Sequence, residues 1–382
     1  MCTEWKTYEL GTLLSYEQPT AYIVESTDYN DNYQTPVLTA GKSFIIGYTN
    51  ETSGIYKSLP VIIFDDFTTS SQYVNFPFKV KSSAMKILSP NTELVLPKFI
   101  YYRMQIIQFD HSTHKRYWIQ QYSKIKVKIP PIPEQERIIC KIEELFSKLD
   151  ASVAELQTAK EKLKVYRQAV LKEAFDSVQA NSKRVTIKSV CETIKVGIVI
   201  KPTQYYVEQG GVFAFRNANV RRNYIEDKDW AMISQEGHQK NLKSQVHIGD
   251  VLIARSGVNL GMAATVPQKY DGYNAIDVVI AVPKKEFILS QYLAQYTNSP
   301  YGLEIVRKNQ HGAAQGHLNV KEYGNLPIFL PNIPEQYSLL KKIESRLSVC
   351  DNIEQTIDTS LQQAEALRQS ILKQEFEGAL AT

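Results

Sequence analysis

The residues whose types and spacing suggest a chemistry in this chain are arginines and asparagines gathered in short runs. Arg216-Asn217-Ala218-Asn219-Val220-Arg221-Arg222 places three arginines and two asparagines within seven residues, just after a strand-like run. Arginine can present a two-pronged donor to guanine, and asparagine a donor–acceptor pair to adenine, so such a run is equipped to read base edges. Arg255-Ser256-Gly257-Val258-Asn259 follows another apolar run, and Gly257 would let the backbone approach a ligand closely. A third run carries Lys308, Gln310 and Gln315. In the first half the counterparts are Thr68, Thr69, Ser70, Gln72 and Tyr73, then Lys115 and Arg116. Any one of these runs has the composition of an ordinary polar loop. Their recurrence in both halves favours a binding surface.

Catalytic constellations do not emerge. The sequence holds no Gly-rich dinucleotide fingerprint, no phosphate loop and no zinc-ligand spacing. His111-x-x-His114 lacks companion ligands, and Asp65-Asp66 and Glu226-Asp227-Lys228 read as surface turns, so neither a metal site nor a catalytic residue is expected. An adenine methyltransferase would need a cofactor loop and an Asn-Pro-Pro-aromatic motif, and neither occurs. The chain of 382 residues is too long for one ordinary core, and 43% apolar with 22% charged residues is the balance of a globular protein. A net charge of +4 permits a nucleic-acid partner without requiring one. No run approaches the roughly 20 apolar residues of a membrane span, so no membrane partner is expected. The start MCTEWKTYEL is not a signal peptide, and Cys2, Cys140, Cys191 and Cys350 read as reduced thiols, which together predict a cytoplasmic location.

The elements that must position these runs are two copies of one long helix. Sliding the sequence by 201 residues lays 330–379 on 129–178 with sixteen of fifty positions identical and no gap, which marks a duplicated module and not a solenoid. Each copy opens on a proline-rich stretch, tolerated at a helix start, with Glu134 or Glu335 near the positive end of the helix dipole. Every seventh residue from Ile142 gives Ile142, Leu149, Leu156, Leu163 and Val170; the second copy gives Ile343, Cys350, Ile357, Ala364 and Ile371. All ten are apolar, the seam of a coiled coil. The companion seam (Leu145, Ser152, Ala159, Tyr166, Glu173; Arg346, Ile353, Ser360, Leu367, Gln374) is mixed, which suits two helices specified for each other.

Strand-like runs and turns fill the rest. In the first module they are Ser43–Gly47, Leu59–Phe64, Val74–Val80, Ile100–Phe109 and the alternating Ser123–Ile129; in the second, Val185–Val190, Val212–Phe215, Asp250–Ala254 and Val278–Val282, with a helix over Leu289–Lys308. Between Lys115 and Lys128 five basic residues and no acid interleave with Tyr117, Trp118 and Tyr122, either a binding patch or a solvated strand edge. Shared anchors, Pro19-Thr20-x-Tyr22 with Pro202-Thr203-x-Tyr205 among them, make the modules distant copies whose intervening sequence has diverged. The expected segments are 1–128, 129–178, 179–329 and 330–382.

This arrangement resembles, over the whole length, the specificity subunit of type I restriction-modification systems. The resemblance rests on a variable module, a Pro-x-x-Pro-Glu-Gln run (Pro130–Gln135) leading into a long helix, a second variable module and a second such run (Pro331–Gln336). Arg167-Gln168-x-x-Leu171-Lys172-x-x-Phe175 and Asp250–Gly257 are also similar to phrases of that family; the first module departs at the latter place, with Leu59–Asp66. The resemblance implies an α+β fold of two α/β target-recognition domains joined by two long helices paired as an antiparallel coiled coil. It also implies that the partners are double-stranded DNA with a bipartite target, two modification subunits and restriction subunits. S-adenosylmethionine and ATP would belong to those partner subunits, and this chain would need no cofactor. A bivalent transcriptional regulator on a split operator is the alternative, separable by whether a neighbouring reading frame carries an adenine-methyltransferase motif.

Overall fold

The computed structural model of the chain describes residues 5–41, 43–111, 116–308 and 317–381. They form two compact units, Met1–Gln157 with Asp358–Thr382, and Thr158–Ile357. The long helices run Ile132–Gln179 and Ile333–Ala381, and each gives one part of its length to each unit. The reason lies in burial. Ile138, Ile142, Phe146, Ile371, Leu372 and Phe376 belong to the same apolar cluster as Leu10, Leu13, Phe64 and Phe99 of the first module. In the second unit Leu171, Phe175, Leu339 and Ile343 join Val251, Val279, Tyr292 and Ile328. The helical segments are therefore part of the modules' cores and not separate bodies in between.

Both units repeat one topology despite the diverged sequence. The first has an antiparallel sheet in the order Leu14–Glu17, Met85–Pro90, Val61–Asp65, Ser71–Val74. The second has Cys191–Val196, Val278–Pro283, Val251–Ala254, Ala263–Thr265 in the same order. A three-stranded sheet accompanies each, with Thr35–Leu38 antiparallel to Ile45–Thr49 and parallel to Lys79–Val80, and Val212–Phe215 likewise between Ala231–Ile233 and Asn274–Ala275. Val61–Phe64 and Val251–Ala254 are buried at every residue, so these strands read as continuous apolar runs and not as alternation. A short ladder closes each module onto the helix that follows it: Lys6 faces Ile129, and Lys183 faces Leu330.

Several expectations need correction. Ile100–Phe109, rich in β-branched and aromatic residues, is not a strand; Pro97 opens a helix, Pro97–Met104, that buries Phe99, Ile100 and Met104. Val74–Val80 is split between two sheets, and the helix expected over Leu289–Lys308 breaks into Ser290–Asn298 and Pro300–Lys308, because Pro300 cannot continue the first. Tyr117, Trp118 and Tyr122 are core residues 1 to 2% exposed, so the basic stretch around them has no aromatic face to offer. Among the described residues no helix is long and apolar enough to cross a membrane.

The helices pair antiparallel within each unit. In the second, Arg167 meets Asp351 at 2.6 Å and Glu354 at 2.9 Å, while Glu173 meets Arg346 at 2.7 Å, so numbers rise on one helix as they fall on the other. In the first, Arg368 pairs with Asp150 and lies 4.4 Å from the Phe146 ring centroid. Arg167 and Arg368 occupy the same place in the repeat, as do Asp150 and Asp351. The duplication thus made one ion pair twice, with the roles of the helices exchanged. Of the seam positions, Ile142, Leu163, Val170, Ile343, Cys350, Ile357 and Ile371 are buried, and Leu149, Leu156 and Ala364 are half-buried. The companion seam stays largely open: Ser152, Ala159, Tyr166, Glu173, Ile353, Leu367 and Gln374 are exposed. Charge accordingly supplies register where apolar packing thins. Arg167→Asp should destabilise the second unit by about 1 kcal/mol, the scale of a partly exposed ion pair. Adding Asp351→Arg should restore most of that loss in a double-mutant cycle followed by chemical denaturation.

Candidate nucleic-acid interface

In the second unit the structure joins the two arginine–asparagine runs. The strand Val212–Phe215 ends at Arg216, and Val251–Ala254 ends at Arg255. Asn217 ties the two loops together: its Oδ1 accepts from the Arg255 N–H at 2.8 Å, its Nδ2 donates to Ser256 Oγ at 2.8 Å, and its carbonyl accepts from Asn259 Nδ2 at 2.9 Å. Beyond the run that holds Lys308, the chain re-enters the described part beside them, where the Leu318 N–H donates to the Arg255 carbonyl at 2.9 Å. Gln310 and Gln315 lie outside the described residues, as does the Lys308 side chain.

This knot reassigns several residues. Asn219 is fully buried, accepting from the Arg216 N–H at 2.9 Å and donating to the Glu226 and Lys228 carbonyls. Asn259 is buried as well. Asn217, Asn219 and Asn259 were expected to face bases; their amides are instead spent on shaping the loops. A short polar side chain that can replace a backbone partner is well suited to that task. Of the arginines, Arg222 is exposed and Arg216, Arg221 and Arg255 are half-buried. Arg221 approaches Glu226 at 3.7 Å, and Arg255 pairs with Asp277 at 3.0 Å. Arg216 donates to the Asp229 carbonyl. The Nε–H groups of Arg216 and Arg255 are buried with no acceptor among the described residues, an unusual pair of unsatisfied donors at one place. Asp277, the partner of Arg255, has a left-handed backbone with φ 54°, strain of a kind that concentrates at functional sites. Nearby, a hydrogen bond from Lys269 holds the Asp227 carboxyl below its ordinary range.

The first unit builds the equivalent place differently. Strand pairing puts Asp66 where the second unit has Arg255. Asp66 was expected in a surface turn; it is 1% exposed, accepts from the Trp118 N–H at 2.8 Å and faces the buried Lys86 at 3.3 Å. An unpaired buried charge is costly, so the carboxylate and the ammonium are retained together. Asp65 Oδ1 accepts from the N–H groups of Phe67 and Thr68 at 2.9 and 2.8 Å, which fixes the turn into the edge strand Ser71–Val74. Thr69 has φ 56°, a strained setting for a β-branched residue, and its hydroxyl meets His111 Nε2 at 2.9 Å. Thr68, Ser70 and Arg116 are exposed, and Gln72 and Tyr73 are half-buried, with the Tyr73 ring 6.0 Å from that of Tyr101. Lys115 lies outside the described residues. Among those described, no cluster of His, Cys, Asp and Glu could hold a metal ion.

Gln135 and Gln336, of the duplicated Pro-Glu-Gln runs, were not singled out as structural, and both are fully buried. Gln135 accepts from the Leu96 N–H at 2.8 Å and donates to the Leu94 and Pro130 carbonyls at 3.0 and 2.8 Å. Gln336 does the same with the Leu289 N–H and the Phe287 and Pro331 carbonyls, at 2.9, 2.8 and 2.9 Å. Each clasps the loop before a module helix to the start of a long helix. Their identity in both copies was the sequence signal.

No protein-family model matches the chain. It is 32% identical over 379 residues to the type I restriction enzyme EcoR124I/EcoR124II specificity subunit of Escherichia coli, covering 96% of this chain and 91% of that protein. Among solved structures, a chain from a type I R-M system superposes with a TM-score of 0.68 at 17% identity over 97% of both chains. The HsdS subunit of Thermoanaerobacter tengcongensis gives 0.50 at 16% identity, over 98% of this chain and 97% of that one.

Proposed function

The chain belongs to the specificity subunits of type I restriction enzymes, the non-catalytic DNA sequence-recognition components of those systems, and from that premise we propose that each of its units reads one half of a bipartite duplex target. The observation that carries this reading in the chain itself is the convergence of the 216–222 and 255–259 loops, which gathers four arginines, one exposed and three half-buried, around a scaffold fixed by asparagines. The two long helices set the spacer between the half-sites. Two modification subunits dock on the helical frame and bring S-adenosylmethionine for adenine methylation, and restriction subunits bring ATP-driven cleavage. This chain supplies the address.

The test is a paired replacement, Arg221→Ala with Arg222→Ala, followed by long-read methylation sequencing of the host DNA. A bidentate base contact contributes about 1–3 kcal/mol, so recognition of one half-site should weaken at least tenfold while the base preferences of the other stay intact. Contacts to phosphate alone would weaken all sequences alike and flatten the salt dependence. Altered preference at both half-sites would contradict the modular reading.

A further inference from the structure

Phe67 and Val258 come from unrelated sequence and lie in the corresponding strand connection of the two modules. Each lies in the connection between the third and fourth strands of its four-stranded sheet: Phe67 between Val61–Asp65 and Ser71–Val74, Val258 between Val251–Ala254 and Ala263–Thr265. Phe67 is 45% exposed and Val258 96% exposed. A lone exposed apolar residue needs no explanation. Two in corresponding connections of diverged modules, each beside a turn held by hydrogen bonds, are a different matter.

The Val258 turn is anchored by Ser256 on Asn217 at 2.8 Å, by Asn259 on the Asn217 carbonyl at 2.9 Å and by the Gly261 N–H on the Ala254 carbonyl at 2.8 Å. Gly257, with φ 71°, lets the chain reverse there. Asp65 fixes the Phe67 turn through two backbone N–H groups. A side chain on such a turn loses little entropy on contact, so an apolar group there is preorganised for a partner. Hydrogen-bonding side chains surround both: Arg255 and Ser256 precede Val258, and Thr68, Thr69 and Ser70 follow Phe67. A DNA major groove presents donors and acceptors together with one apolar feature, the C5-methyl of thymine, which apolar side chains read by contact.

Resting on the DNA-recognition reading above, we propose that Phe67 and Val258 are specificity-determining residues, each contacting a thymine methyl in the half-site its unit reads. Base-edge polarity is then read by the flanking groups, and the methyl by these two.

The test uses the native complex, purified through a tag on the full-length chain, after methylation sequencing has defined the motif. Duplexes carry deoxyuridine, which lacks only the methyl, at each thymine of the motif in turn. Losing one buried methyl contact should weaken binding about fourfold. The expected result is one sensitive thymine in each half-site, with the sensitivity at one abolished by Val258→Ser and at the other by Phe67→Ser, while Phe67→Leu keeps it. Indifference of the wild-type complex to every deoxyuridine, a half-site without thymine, or unchanged sensitivity in the serine variants would overturn the inference and leave the recognition reading standing. A host in which this gene directs no bipartite motif would overturn both.

Discussion

Gln135→Leu should destabilise the first unit by about 3–5 kcal/mol, and Gln336→Leu the second by a similar amount. Leucine fills much of the volume but has no polar atoms. It would leave the Leu94 and Pro130 carbonyls and the Leu96 N–H without their partner in a fully buried setting. A buried polar group stripped of its partner costs about 1–3 kcal/mol, and three such losses around one amide do not add fully. Trp5 and Trp118 belong to the first unit and Trp230 to the second, so fluorescence of single-tryptophan variants during chemical denaturation follows the two separately. The Trp118 transition should move in Gln135→Leu and the Trp230 transition in Gln336→Leu. A shift below 1 kcal/mol would mean that water replaces the amide, and that the Pro-Glu-Gln run is retained for another reason.

Lengthening the helices should change the spacer of the target and not its half-site sequences. Four residues inserted after Leu163, with four more before Ile357 on the second helix, lengthen each by about 6 Å and slightly more than one turn. Both insertions lie at one level of the pair, since Arg167 meets Glu354. Because four is close to 3.6, the buried stripe through Leu163 and Val170 and its counterpart through Ile343 and Cys350 keep their faces, at the cost of a local stutter. The methylated motif in cells carrying this variant should keep both halves and gain one or two base pairs between them, at about 3.4 Å per base pair. Inserting two residues at each place instead turns the stripe by about 200°. That breaks the phase of the stripe between Leu163 and Val170 on one helix and between Cys350 and Ile357 on the other, and should abolish modification altogether. An unchanged spacer in the four-residue variant would make the helices a docking platform only.

The sequence by itself determined the duplication, the two long helices and the face on which they pair. Seven-residue periodicity and a repeat without gaps depend only on spacing along the chain, and spacing is what a helix converts into a stripe. It also marked the 216–222 and 255–259 loops as candidates, because arginine and asparagine cluster visibly after apolar runs. What it could not decide was the role of each member. Asn217, Asn219 and Asn259 have the composition of base readers, and whether an amide faces outward or inward depends on which carbonyls the distant strands bring to it. The same limit hid Asp66, whose burial beside Lys86 is set by the pairing of Val61–Asp65 with Met85–Pro90. It also turned Ile100–Met104 from an apparent strand into a helix, since β-propensity is weak against packing on a neighbouring helix. That Phe67 and Val258 share a kind of connection is invisible in the chain, where 191 residues and no similarity separate them. Only the tertiary structure, by giving both modules one strand order, places them in corresponding connections.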